Sequence, residues 1–201
     1  MSDSRTLLRA RMSVRRNELD AKQRITAAAG ALRSLQALPE FLTDSNIAGY
    51  WAIRGELPLN LVVASLRRNA QNYFLPVLGN ARRLRFAEYA ESTGLRSNRY
   101  GIPEPDVSDD SLLNAGDMDM LLLPLLAFDR GGRRLGTGGG WYDRSLAFLH
   151  GTARPSRPLL VGVGYAFQEV DTIPFEGWDV DLDYVATDLG LIACHASEPN
   201  E

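Results

Sequence analysis

LLLPLLAFDRGGRRLGTGGGWYDRSLAFL, residues 121–149, is the stretch around which the rest of the chain is organised. The apolar run 120–126 is short, continuous and followed by turn residues, as expected of a buried strand. Turn residues fill positions 129–132, glycines cluster at 136–140, and the periodic segment 144–149 predicts the start of a helix. A strand, a glycine-rich loop and a helix start in this order are typical of a phosphate-binding site.

The composition of the loop favours an anion as its ligand. Glycines allow backbone N–H groups to approach an oxyanion without a Cβ in the way, and Arg133 and Arg134 supply cations. A wide surface turn without a ligand is the alternative, but two arginines, two aromatic residues and one carboxylate crowded into one turn make it less favourable. Two common nucleotide loops are excluded, because Trp141 stands where a Walker loop has Lys and where a dinucleotide fingerprint has Gly.

The loop resembles the signature of the 5-formyltetrahydrofolate cyclo-ligase family. That signature is Phe-Asp, a short turn, Arg-Leu-Gly-x-Gly-x-Gly, two aromatic residues and Asp. The matching residues here are Phe128, Asp129, Arg134, Leu135, Gly136, Thr137, Gly138, Gly139, Gly140, Trp141, Tyr142 and Asp143. The resemblance implies that residues 134–142 bind ATP, that Arg134 and Asp143 are catalytic, and that Trp141 and Tyr142 also contact the folate.

The N-terminal segment supplies two further candidate cations. Residues 3–19 are predicted to form a helix, on which Arg5 and Arg9 share a face. Such arginines usually lie on a solvated basic surface, and this alternative stays open. In the family, a Lys-x-x-Leu-Arg pattern reaches the nucleotide phosphates. Arg5, Leu8 and Arg9 match it with arginine in place of lysine, so the resemblance implies that Arg5 and Arg9 bind the nucleotide.

The folate is expected to contact the chain after a strand predicted at 47–53. In the family this strand end faces the folate and an acidic pattern follows, which implies contacts from Ile53 and Glu56. A carboxylate is suited to pair with the N–H donors of the pterin. Pro58 replaces the second acid of the family and Leu59 its threonine, and Glu56 could alternatively be an exposed loop acid. Tyr100, before a turn resembling the family's Gly-Ile-x-Glu-Pro, is a candidate to stack on the substrate.

The resemblance also implies a magnesium ion held by Asp143 and Asp179. Magnesium normally takes oxygen ligands from one or two carboxylates together with substrate phosphates. The two aspartates are far apart in the sequence, so only the fold could bring them together.

The order of helices and strands in the rest of the sequence predicts a three-layer α/β fold. A parallel or mixed sheet is expected to have helices on both of its faces. A capping box at Asp20 predicts a helix to about residue 38, and another helix is expected at 59–69. Further strands are predicted at 72–78, 84–89, 159–165 and 183–187, the second of them near an edge. We expect one domain over residues 1–201, with a flexible tail at 190–201.

Composition narrows the classes of function. The net charge of −3 argues against nucleic acid as the main partner. No apolar run is long enough to span a membrane, and the N-terminus does not resemble a secretory signal. The single cysteine, Cys194, which we interpret as a structural or tail residue, fits a reducing cytoplasm. We therefore expect a cytoplasmic protein, and we expect it to be a monomer.

The resemblance implies ATP- and magnesium-dependent conversion of 5-formyltetrahydrofolate, which could carry a polyglutamate tail, to 5,10-methenyltetrahydrofolate. Two alternatives stay open. One is an enzyme of the same fold with another substrate, suggested by Pro58 and Leu59. The other is a binding protein for folate or nucleotide without catalysis, which is disfavoured because a binding protein would not need magnesium ligands such as Asp143.

Overall fold

The computed structural model describes residues 2–150 and 154–194. Within this part the α-helices are α1 (Ser2–Asn17), α2 (Ala21–Gln36), α3 (Pro39–Thr43), α4 (Asn60–Arg68) and α5 (Trp141–Ser145). The strands are β1 (Asn46–Ala48), β2 (Asn72–Leu78), β3 (Leu84–Glu88), β4 (Leu95–Ser97), β5 (Pro103–Pro105), β6 (Met120–Pro124), β7 (Ala127–Phe128), β8 (Arg134–Leu135), β9 (Leu159–Gly164), β10 (Tyr184–Thr187) and β11 (Leu191–Ala193). Short 3₁₀ turns lie between several of them.

A seven-stranded sheet in the order β11-β10-β9-β6-β1-β2-β3 forms the centre of the fold. The five inner strands, from β10 to β2, are parallel, whereas β3 and β11 pair antiparallel at the two edges. The predicted α/β class and mixed sheet are therefore confirmed, as is the edge position of the 84–88 strand. The central strand β6 is buried on both faces, which explains its continuous apolar sequence.

The two faces of the sheet are covered differently. One face packs against α2, α3 and α4 through a cluster that includes Leu35, Phe41 and Leu66. The other face is covered by shorter helical segments and loops, with Met118 and Leu146 among the buried contacts. The protein thus has the expected three layers, but long helices cover only one side.

Two predicted elements have other boundaries in the structure. The strand predicted at 47–53 ends at Ala48, and its last bond to β2 runs from the Gly49 amide to the Phe74 carbonyl at 2.9 Å. The helix predicted from 144 begins at Trp141 and ends at Ser145. With only five residues it contributes less of a helix dipole to an anion than we expected.

The expected tail at 190–201 is partly structured. Residues 191–193 form the edge strand β11, and the Cys194 amide donates to the Asp183 carbonyl at 2.9 Å. Burial raises the pKa of the Cys194 thiol to about 12, as suits the structural role that we assigned to it. Residues 195–201 lie outside the described residues.

A β-hairpin places the glycine-rich loop. Strands β7 and β8 pair antiparallel around a turn in which Gly132 has a φ of 89°. Helix α1 packs on this hairpin, with Met12, Ala127 and Leu135 sharing a buried cluster. The N-terminal helix therefore lies beside the loop that follows β8. No helix in the described part of the chain is long and apolar enough to cross a membrane.

Candidate active site

A cavity of about 630 Å³ opens beyond the carboxyl ends of the parallel strands. Pro124 at the end of β6, Leu78 at the end of β2 and Tyr50 just after β1 all line it. Ligands of open α/β sheets commonly bind at this edge. All but one of the residues predicted for the site line this cavity. They are Arg5, Arg9, Ile53, Glu56, Tyr100, Arg134, Gly136, Thr137, Gly138, Gly139, Gly140, Trp141, Tyr142, Asp143 and Asp179.

Leu135 is the exception, and its predicted contact with the nucleotide was wrong. Its side chain is fully buried among Met12, Leu126 and Ile173, away from the cavity. Its carbonyl accepts a hydrogen bond from the Leu126 amide at 2.7 Å. Alternation along strand β8 points Leu135 into the core while Arg134 faces the site.

Arg134 links the loop to a distant segment. Its buried guanidinium donates to the Val180 carbonyl and forms an ion pair with Asp143. Asp143 lies in the first turn of α5, immediately after the loop. The two residues predicted to be catalytic are thus in contact, and Arg134 also has a structural partner.

Both candidate arginines of α1, Arg5 and Arg9, line the cavity, so these two do not form a solvated basic face. Arg5 is buried and forms a two-point ion pair with Asp179, at 2.9 and 3.2 Å. Arg9 donates through Nε to the Gly136 carbonyl at 3.0 Å. Burial and the neighbouring Arg5 lower the pKa of Arg9. Positive charge is therefore concentrated next to the glycine loop.

Glu56 is half-buried in the cavity wall, not an exposed loop acid. Its Oε2 accepts a hydrogen bond from the Ile53 amide at 3.0 Å, and burial raises the pKa of its carboxyl group. Tyr50 and Tyr142 lie nearby. Burial, followed by the negative charge of Glu56, raises the pKa of both phenols, so both remain protonated hydrogen-bond donors at neutral pH.

Aromatic side chains frame the mouth of the cavity. Tyr100 and Trp141 meet edge to face with 6.3 Å between ring centroids, and the Arg99 guanidinium lies over both rings. Trp178 also lines the cavity, and 64% of its surface is exposed. Such exposed rings can stack on a flat ligand.

The two predicted magnesium ligands face the same cavity. Asp143 and Asp179 are hard oxygen donors, and each is now paired with an arginine. Among the described residues, no group of three or more potential ligand side chains could hold a metal alone. Two carboxylates beside a phosphate loop fit a magnesium ion that completes its shell with nucleotide oxygens and water.

Sequence reasoning missed several residues of the cavity, among them Tyr50, Asn98, Ile102, Glu176 and Trp178. Tyr50 could have been found, since it belongs to the segment predicted to face the folate. Trp178 is adjacent to the predicted ligand Asp179. Asn98 and Ile102 flank Tyr100 in a surface loop, and nothing in their residue types indicates a site.

Comparisons with a family model, with sequence relatives and with solved structures all indicate the same family. The 5-formyltetrahydrofolate cyclo-ligase family model matches residues 1–188. A 5-formyltetrahydrofolate cyclo-ligase of Haemophilus influenzae is 33% identical over 183 residues, 90% of this chain and 96% of the relative. The Escherichia coli K12 protein of that name is 33% identical over 176 residues, covering 86% and 94% of the two chains. The solution structure of Aquifex aeolicus 5,10-methenyltetrahydrofolate synthetase superposes with a TM-score of 0.79 at 27% identity, covering 98% and 96%.

Proposed function

Because this chain belongs to the 5-formyltetrahydrofolate cyclo-ligase family, we propose that it cyclises 5-formyltetrahydrofolate to 5,10-methenyltetrahydrofolate with conversion of ATP to ADP and phosphate. One structural observation carries the proposal: a single cavity holds both the arginine-flanked glycine loop and the half-buried Glu56. The part proposed to bind phosphate and the part proposed to bind the pterin therefore line one space.

The chemistry explains why arginines dominate the site. A formamide oxygen is a poor leaving group, and its phosphorylation allows the neighbouring N10 to attack the formyl carbon, after which phosphate leaves. Phosphoryl transfer depends mainly on positioning and charge neutralisation. Arg9, Arg134 and the loop amides would hold the transferring phosphoryl group and neutralise its charge, and no dedicated general base is required.

Asp143 and Asp179 would hold the magnesium ion. When bound, that ion would neutralise charge on the nucleotide phosphates and orient them. Arg5 and Arg134, which now pair with these carboxylates, would then be free to donate hydrogen bonds to phosphate oxygens. The two ion pairs thus hold these carboxylates and guanidiniums in position at the cavity.

Glu56 would recognise the pterin. Its free carboxylate oxygen can accept hydrogen bonds from the pterin's amino and ring N–H groups, while Ile53 contributes an apolar contact beside it. Tyr100, Trp141 and Tyr142 would contact the ring system from the mouth and floor of the cavity. Because Glu56 is held by the Ile53 amide, it can serve without the second acid that Pro58 replaces.

We place this activity in the cytoplasm. The sequence has one cysteine, Cys194, which cannot form an internal disulfide, and this supports a reducing compartment. One chain supplies the phosphate loop, the carboxylates and the aromatic residues of the cavity, which supports catalysis by a monomer.

The decisive experiment mixes the protein with ATP, magnesium and 5-formyltetrahydrofolate and follows the ultraviolet absorbance of the methenyl product. We expect product only when both ATP and magnesium are present, with loss on chelation and recovery on adding magnesium back. Binding of both ligands without product would instead support the non-catalytic alternative. Absence of folate binding would point to another substrate, as the Pro58 and Leu59 replacements would allow.

A further inference from the structure

Arg16 is a buried cation to which the proposed reaction assigns no role. Burial lowers the pKa of its guanidinium, and the charge of the nearby Glu56 carboxylate opposes that shift. Only 3% of its surface is exposed, and neither Nε nor Nη1 has a hydrogen-bond partner. A buried guanidinium without partners is costly, and most buried polar groups are satisfied. Its position in the last turn of α1 gives some dipole stabilisation, but this does not occupy its N–H groups.

Arg16 lines a second cleft of about 360 Å³. The polar residues of this cleft are Arg9, Ser13, Arg16, Asn17, Arg54 and Thr137. Three of the six are arginines, and none of the cleft's lining residues, as far as the structure describes them, is a carboxylate. The cleft therefore has the charge of an anion site.

The cleft adjoins the main cavity. Arg9, Arg54 and Thr137 line both spaces, which places the cleft directly beside a ligand in the cavity. Thr137 belongs to the glycine loop, and Arg54 lies two residues before Glu56. The entrance to the cleft thus lies between the phosphate-binding and folate-binding parts of the site.

The backbone at the entrance is held in an uncommon conformation. Arg54 has a φ of 48°, in the left-handed region, and Gly55 follows with a φ of 77°. Non-glycine residues adopt this region rarely, and such strain is concentrated at functional sites. The fold thus maintains an arginine at the junction of the two spaces at some conformational cost.

We propose that the Arg16 cleft is a second anion-binding site, which takes a carboxylate or phosphate group of a reactant that occupies the main cavity. This inference rests on the proposed function, since the reactants of that reaction carry both kinds of group. A carboxylate would come from the glutamate tail of the folate, and a phosphate from the nucleotide or the inorganic product. In either case the oxyanion would accept hydrogen bonds from the N–H groups of Arg16 that have no partner, after a small movement of the side chain.

Equilibrium binding to Arg16→Met tests the proposal. The probes are 5-formyltetrahydrofolate, inorganic phosphate and the primary amide of 5-formyltetrahydropteroate, called the pteroate below, which has neither the glutamate nor a free benzoate carboxylate. Arg11→Met is the matched control, because Arg11 is an exposed arginine of the same helix and lines neither space. If the tail binds at Arg16, affinity falls about tenfold or more for the folate and not for the pteroate.

If phosphate is the ligand, Arg16→Met weakens phosphate binding by a similar factor and leaves both pterins unchanged. An equal loss for folate and pteroate would mean that Arg16 acts only through Glu56, and it would overturn the proposal unless phosphate binding also falls. Affinities within twofold of the Arg11→Met control for all three probes would overturn it as well.

A second variant avoids dependence on the folding of Arg16→Met. Asn17→Asp places a negative charge at the exposed rim of the cleft without changing the size of the side chain. We expect it to weaken the same probe that Arg16→Met affects, and unchanged binding of every probe would again overturn the proposal. The phosphate measurement needs no folate, so failure of the proposed cyclisation would be seen separately, as a wild-type protein that makes no methenyl product.

Discussion

The guanidinium of Arg5 and the carboxylate of Asp179 form a buried two-point ion pair, with Nη1–Oδ2 and Nη2–Oδ1 distances of 2.9 and 3.2 Å. Arg5 lies near one end of the chain and Asp179 near the other, 174 positions away. The Glu176 amide also donates to Asp179, at 3.0 Å. Helix α1 is thereby joined to the segment that closes the far side of the cavity.

Asp179→Asn should weaken both folding and the response to magnesium. Breaking a buried ion pair by removing one charge leaves the other unpaired and costs about 3 kcal/mol. Urea unfolding measures the first effect. ATP titrations at several magnesium concentrations measure the second, and we expect the variant to need more magnesium for the same affinity. Asp110→Asn, at an exposed acid, removes the same charge as a control. Unchanged magnesium dependence would contradict the assignment of Asp179 as a ligand.

Asp143→Asn should lower turnover on the order of 10³-fold, because a residue that contacts the transferring phosphate through the metal is lost. The substitution preserves the size of the side chain, but it leaves the buried Arg134 guanidinium without an opposite charge, so the melting temperature should fall as well. Arg134→Ala should also abolish turnover and lower stability, since it leaves the Val180 carbonyl without its donor. Wild-type rates in both variants would exclude the loop as the nucleotide site.

Gly138→Ala should weaken ATP binding. Gly138 has a φ of 99°, so any Cβ there is strained, and it would lie 3.8 Å from the Arg9 guanidinium, in the space assigned to phosphate. Gly94→Ala is the control, because nothing lies within 4 Å of a Cβ at that position and its backbone is not left-handed. Calorimetry with ATP compares the two. Equal affinities with equal melting temperatures would mean that Gly138 serves only the turn.

Glu56→Gln should weaken folate binding tens-fold and leave ATP binding unaltered, since one charged hydrogen-bond acceptor costs roughly 1.5–3 kcal/mol. Titration with 5-formyltetrahydrofolate measures this effect, and a shift below twofold would refute the assignment.

The same variant should change how stability depends on pH. Burial raises the pKa of Glu56 above its ordinary value of 4.5, so the folded state binds more protons than the unfolded state in that range. The contribution of Glu56 to stability is therefore greatest below pH 4.5 and declines as the pH rises through the raised pKa. Glu56→Gln has no carboxyl group at this position, so its free energy of unfolding, measured with urea, should depend less on pH over this interval than that of the wild type. An unchanged profile would indicate that Glu56 is solvated.

The sequence-based predictions were accurate where interactions between neighbouring residues decide the structure, and less accurate where contacts between distant residues decide it. Helix α2, with its capping box between Asp20 and Gln23, and the apolar strand β6 depend on neighbouring residues and were predicted within a few positions. The strand after residue 46 was too long in the prediction, because its length depends on pairing with β2 and β6, which lie far along the chain. Residue type likewise could not show that the Leu135 side chain faces the core, because its direction is set by the pairing of strands β7 and β8 in the hairpin.

By itself, the sequence determined the α/β class and the charged groups of the glycine-rich loop, from which its binding of phosphate is proposed, because these depend on local periodicity and on residue chemistry. Only the tertiary structure decided that Arg5 pairs with Asp179, that Glu56 is half-buried against the Ile53 amide, and that Nε and Nη1 of the buried Arg16 have no hydrogen-bond partner. Burial and long-range pairing set the charge state and direction of these side chains, and both arise from how the helices and loops pack around the sheet.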